Sequence, residues 1–212
     1  MPQIGRLRIH GEGEVEVELV MAFLTNLKRA YDSVLLFEAI IDGLYRDSRD
    51  FPFPRYPFDF YQDWPIARPR GLGRLHDWPP RPEEVASFVP ASDQLVLSAV
   101  RLASPGSWDF LGQLNPFEVF RKYLCDRHER RKDKEYRESA EKRRLALENL
   151  SLENRVISDR VRLAKELGAT NRDLAPLLNE LIFKPLTALD QSQDRNVITY
   201  AELPKPDSVH KD

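Results

Sequence analysis

The chain has 212 residues, 42% hydrophobic and 31% charged, enough to bury a substantial core and more charged than an average soluble domain. Its 32 basic and 34 acidic residues nearly cancel, so no global field recommends nucleic acid or an anionic membrane, and only local patches can argue for one. A single cysteine, Cys125, excludes an intrachain disulfide scaffold, and the absence of a signal-like or membrane-spanning apolar run makes a cytoplasmic location the expectation.

In chain order, residues 6–20, RLRIHGEGEVEVELV, alternate with period two. Val15, Val17 and Leu19 fall on one side and Glu14, Glu16 and Glu18 on the other. With Gly11 and Gly13 as turn residues, this predicts a β-hairpin with one wet face, the glutamates being a solvated row and not a cation cage. The period then becomes helical. From Ala22 to Leu44, apolar residues at Phe23, Leu27, Ala30, Val34, Phe37, Ile41 and Leu44 step by three and four, with a second apolar face at Leu24, Tyr31 and Leu35. A helix greasy over that much of its circumference belongs in the centre of the domain.

Residues 51–82 hold half of the sixteen prolines, interleaved with Phe, Tyr and Trp. Proline forbids regular helix or central strand, and the aromatics argue against a disordered linker, so an extended arm packed on the domain is expected. PEEVASF (82–88) reads as a short helix, and QLVLSAVRL (94–102), a continuous apolar run, reads as an interior strand. SPGSW then turns the chain into a long helical region, with Asn115 as N-cap and Pro116 at the first helical position.

The segment 121–144, RKYLCDRHERRKDKEYRESAEKRR, is the most unusual. From Arg127 to Arg144 fourteen of eighteen residues are charged, nine basic and five acidic, and only Tyr136 and Ala140 suit a core. Acid-to-base pairs four apart (Asp126 with Arg130, Asp133 with Arg137, Glu138 with Lys142) support an exposed helix by about 0.2–0.5 kcal/mol each. Continued from Phe117 to Leu147, such a rod would be about 46 Å long and would project from the body. Beyond it, Leu147, Leu150, Asn154, Ile157, Val161 and Ala164 step 3, 4, 3, 4, 3, a heptad-like seam with asparagine at one core position, suited to a fold-back or to a second subunit. LAKELGATNRDLAPLLNELIFKPL resembles a helix-turn-helix around Gly168. Pro176, expected near the start of a helix capped by Asp173, and the apolar Leu177, Leu178, Leu181, Ile182 and Phe183 favour a structural hairpin over a base-reading helix. NVITYAEL (196–203) reads as a last strand and PKPDSVHKD as a frayed tail.

Familiar catalytic constellations are absent from the sequence. His10, His76, His128 and His210 lie far apart, Cys125-x-x-His128 lacks a second ligand pair, RGLGRL around Gly71 lacks a phosphate-loop lysine, and no G-x-S-x-G elbow occurs. A non-enzyme without cofactor or metal is the expectation. The succession LASPGSW, FLGQLNPFEVFRKYL, charged helix, KELGATNRDLAPLLNELIFKPLTALDQSQDRNVI resembles, over residues 94–203, accessory segments of uncharacterised bacterial proteins encoded beside signalling or defence effectors. That resemblance implies a bacterial cytosolic adaptor and carries over no site residues.

The expected architecture is α+β: a small, mostly antiparallel sheet packed by long helices, with a projecting charged helical hairpin. Its parts are a body at 1–115 with the arm at 51–82, the charged helix and hairpin at 116–190, and a returning strand and tail at 191–212. The expected function is a non-catalytic protein–protein interaction or assembly module, its seam at Leu147, Leu150, Asn154, Ile157, Val161 and Ala164 meeting a protein partner or a second copy. The alternative is a nucleic-acid-binding regulator using helix 121–144 and segment 156–183, with Arg130, Arg131, Lys134, Arg137 and Arg172 as contacts.

Overall fold

The computed structural model describes residues 3–11, 15–50, 85–101, 103, 105–132 and 140–204. The arm at 51–82, the tip of the charged run with Lys134, Tyr136 and Arg137, and the tail from residue 205 lie outside the described residues. The fold is α+β. Strands β1 (Ile4–Gly11), β2 (Val96–Arg101), β3 (Gly106–Gln113) and β4 (Ala201–Glu202) form one antiparallel sheet in the order β2-β3-β1-β4. Helix α1 (Val17–Asp50) packs on the face presented by Leu7, Ile9, Trp108 and Phe110, all buried. Phe23 forms the joint, its ring edge-on to Trp108 at 5.4 Å and to Phe110 at 6.5 Å.

Two strand expectations are corrected. The second arm of the N-terminal hairpin does not form, because α1 begins at Val17, with the Glu16 carbonyl accepting from the amides of Leu19 and Val20. Glutamate is a good helix former, and Glu18 sits in the first turn where the helix dipole favours it, so the Glu/Val alternation is compatible with a helix whose N-terminal turns face water. β1 pairs instead with β3, about a hundred residues away, along its full length from Ile4 opposite Gln113 to Gly11 opposite Gly106. β3 was hidden inside the presumed turn into the helical region. Its own alternation is clear once placed: Trp108 and Phe110 point to the core, while Asp109 between them takes two hydrogen bonds from Arg8 across the strand pair, at 2.7 and 3.0 Å. The QLVLSAVRL run, in turn, is not interior. β2 is the outer strand beyond β3, and all six of its residues are exposed.

Glycine is required where β1 ends. A Cβ on Gly11 would lie 2.2 Å from the Val197 carbonyl oxygen and 2.5 Å from the Trp108 ring, so the C-terminal segment can cross here only over a hydrogen atom. That segment continues as a strap on β1: Thr199 N donates to His10 O, His10 N donates to Tyr200 O, and β4 pairs at Ala201 and Glu202. The last strand is thus shorter than its apolar run suggested, since Val197 and Ile198 are buried in the core before the ladder begins.

The helices after the sheet are α2 (Leu114–Lys132), α3 (Ala140–Glu153), α4 (Arg155–Glu166), α5 (Asn171–Leu178), a π-helical turn (Asn179–Phe183), α6 (Lys184–Thr187) and α7 (Asp190–Asp194). A short 3₁₀ turn at Ala86–Phe88 stands where the 82–88 helix was expected. α2 starts at Leu114, which places Asn115 and Pro116 inside its first turn; Asn115 is not the cap, and its Nδ2 donates to Glu38 of α1 at 2.9 Å. α2 is also no free rod. Phe117, Val119, Phe120, Tyr123 and Leu124 are buried, and so is Arg127, at 2% exposure.

Arg127 is held by the C-terminal segment. Its Nη1 donates to Gln193 at 3.2 Å and its Nη2 to Asp194 at 2.8 Å, while Nε lies 3.1 Å from Asp190 Oδ1, which also accepts from Tyr123 at 2.5 Å. Gln193 completes the knot by donating to the carbonyls of Leu124 (3.0 Å) and Thr199 (2.6 Å). One buried guanidinium therefore fastens α2, α7 and the strap that feeds β4.

The helix-turn-helix-like stretch forms two helices joined by a turn at Gly168. Gly168, at φ +100°, closes α4, and Thr170 caps α5 in a reciprocal capping box with Asp173. The cap is Thr170 and not Asp173, so Pro176 lies well inside the helix and removes one ladder bond. A second proline, Pro185, follows the π-helical turn, where Lys184 N donates five residues back to Asn179 O. The wider turn moves the preceding carbonyls away from the proline ring, which would otherwise meet the carbonyl four residues earlier. Leu174, Leu177, Leu181 and Ile182 are buried in the same core as α1, so α5 and the π-helical turn face inward and do not offer an exposed base-reading surface there.

Candidate functional site

The seam proposed from the heptad spacing is not a surface. Leu147, Leu150, Ile157 and Ala164 are buried in the chain's own core, with Val161 half-buried against it. Asn154 breaks the seam, standing between α3 and α4 as the N-cap of α4, its Oδ1 accepting from Val156 N (3.0 Å) and Ile157 N (3.4 Å). A buried asparagine at heptad spacing and an N-cap asparagine look identical in a sequence; what differs is whether the helix continues. The structural role reverses the expected sign of a substitution. Asn154→Leu should lower stability by about 1 kcal/mol, through loss of the cap, instead of strengthening a seam. Thermal and urea melts decide it, and a stabilised variant would restore the seam reading.

Of the candidate nucleic-acid contacts, Arg130 and Arg131 lie on α2 and Arg172 on α5. Arg131 donates to the Gln193 carbonyl and lies 3.9 Å from Asp194, so it serves the C-terminal knot. Arg130 is half-buried, with Nε lacking a hydrogen-bond partner, and Asp126 pairs with Lys122 at 3.3 Å instead of with Arg130. Arg172 is exposed at the start of α5. Lys134 and Arg137 lie outside the described residues. Cys125 donates to the Ala201 carbonyl, while the His128 ring lies 5.7 Å from Tyr200, which stacks on His10 at 4.4 Å.

Two other places carry chemistry. The first is an open cleft of about 990 Å³ between α1, α2 and α4. Its acids and bases neutralise one another: Glu118 with Arg121, Glu153 with Lys122, Asp159 with Arg162, and Glu38 and Asp42 with Arg160. At its floor Glu38 is 6% exposed, and burial holds its carboxyl above the ordinary glutamate range against the opposing pull of Arg160 and Asn115. The remaining lining charges pair too, Arg155 lying 3.7 Å from Asp159 and Glu166 4.0 Å from Arg162. A stability consequence follows with a definite sign. A carboxyl that binds its proton more tightly when folded favours the fold at low pH, and this contribution is lost as pH rises from the unfolded glutamate range through the raised folded value. Wild type should therefore lose stability relative to Glu38→Gln across that window in pH-dependent urea titrations. Parallel curves for the two proteins would exclude it.

The second place is the β2 edge of the sheet, which has no further strand beside it among the described residues. Val96, Leu97 and Val100 of β2 are 52%, 42% and 44% exposed. The register explains why Leu97 and Val100 share a face although three residues apart. A bulge falls between Leu97 and Ala99, so Leu97 lies opposite Phe110 and Val100 opposite Trp108, both on the helical side. The bulge residue Ser98 is pinned by its hydroxyl to the Asp109 carbonyl at 2.9 Å. On the reverse face Ala99 and Arg101 stand beside Asp109 and Ser107, and β1 adds Arg6, Arg8 and His10. Asp109 is held below the ordinary carboxylate range, first by the Arg8 hydrogen bond and then by the charges of Arg8, Arg6 and Arg101. The edge was legible in part. An apolar run of six is visible in the sequence, but whether both of its sides are paired is not.

Compared with protein-family models, curated proteins and solved structures, the chain matches none. The likeness over residues 94–203 therefore rests on its own short segments. No helix among the described residues is long and apolar enough to cross a membrane.

Proposed function

We propose that the protein is a non-catalytic interaction module that docks a protein partner along the β2 edge of its sheet. One observation carries the reading: β2 is a terminal strand exposed along its whole length, with three large aliphatic side chains in water. Such an edge presents unpaired backbone donors and acceptors, and natural proteins usually guard it with lysine, proline or a cover. β2 has neither residue, its one charge, Arg101, sits at the end of the strand, and its one guarding device is the bulge between Leu97 and Ala99. The reading keeps the expected class of function and moves it from the heptad-like seam to the sheet edge.

Native mass spectrometry on gently purified protein tests it. A mass above that of the bare chain, persisting at high salt in wild type and lost in Leu97→Glu, is the expected result, because apolar and backbone contacts resist screening. A complex that dissolves with salt and contains nucleic acid, or one indifferent to Leu97→Glu, would overturn it.

A further inference from the structure

We draw no further inference here: the strongest candidate, the apolar helical side of β2 at Leu97 and Val100, names no occupant beyond the docking already proposed, because nothing in the structure shows what covers it.

Discussion

Arg127→Ala is expected to lower the unfolding free energy by about 3–5 kcal/mol, the cost of breaking a buried ion pair from one side. The variant leaves Asp190 and the Gln193 amide facing each other without the guanidinium that joins them. In a domain whose whole stability is about 5–15 kcal/mol, that loss moves the urea midpoint by an easily measured amount. Because Gln193 also holds the Thr199 carbonyl, the effect should have a local signature, faster amide exchange at Thr199–Glu202 before global unfolding. Asp194→Asn is the control: Asp194 is half-exposed, so its partner role is screened and its loss should cost far less. An Arg127→Ala protein within about 1 kcal/mol of wild type would mean that water replaces the guanidinium and that the knot is not structural.

Phe23→Ala should be comparably damaging, by about 3–5 kcal/mol, for an unrelated reason. Phe23 is fully buried and touches the two aromatic residues by which β3 faces α1. Removing the ring loses its transfer free energy and leaves a void between a helix and a sheet, two rigid elements with little freedom to collapse together. The near-ultraviolet signal of Trp108 should broaden or vanish while far-ultraviolet helicity persists, which separates this variant from Arg127→Ala. A destabilisation of about 1 kcal/mol or less would show that α1 can settle onto the sheet and that the joint is not rigid.

These two sites differ in how readable they were. Phe23 belongs to a run stepping by three and four, and its burial follows from period alone. Arg127 sits in the most charged stretch of the chain, and composition assigns it to solvent. Its burial is decided by Asp190, Gln193 and Asp194, more than sixty positions later. Asn154 shows a third case, a residue whose spacing was read correctly and whose role was not. A heptad step assumes an unbroken helix, and the break at Asn154 turns the same asparagine into a cap. At the proposed docking edge, the apolar character of β2 was plain and its environment was not. The strand that flanks it, β3, begins in a Ser-Pro-Gly-Ser turn and carries an aspartate at its centre, both of which argue locally against a strand. Arg8, 101 residues away, makes that aspartate acceptable.

The sequence by itself determined the α+β fold class, the central helix, the turn at Gly168 and the near-neutral charge balance. All of these depend on composition or on interactions within a few residues, where periodicity, propensity and turn chemistry act. The tertiary structure alone decided that β1 pairs with β3, that the heptad-like stripe is internal, that Arg127 is core and that β2 is the outer strand of the sheet among the described residues. Each of those depends on which distant segments share a contact, and local preference carries no information about a partner a hundred residues along the chain.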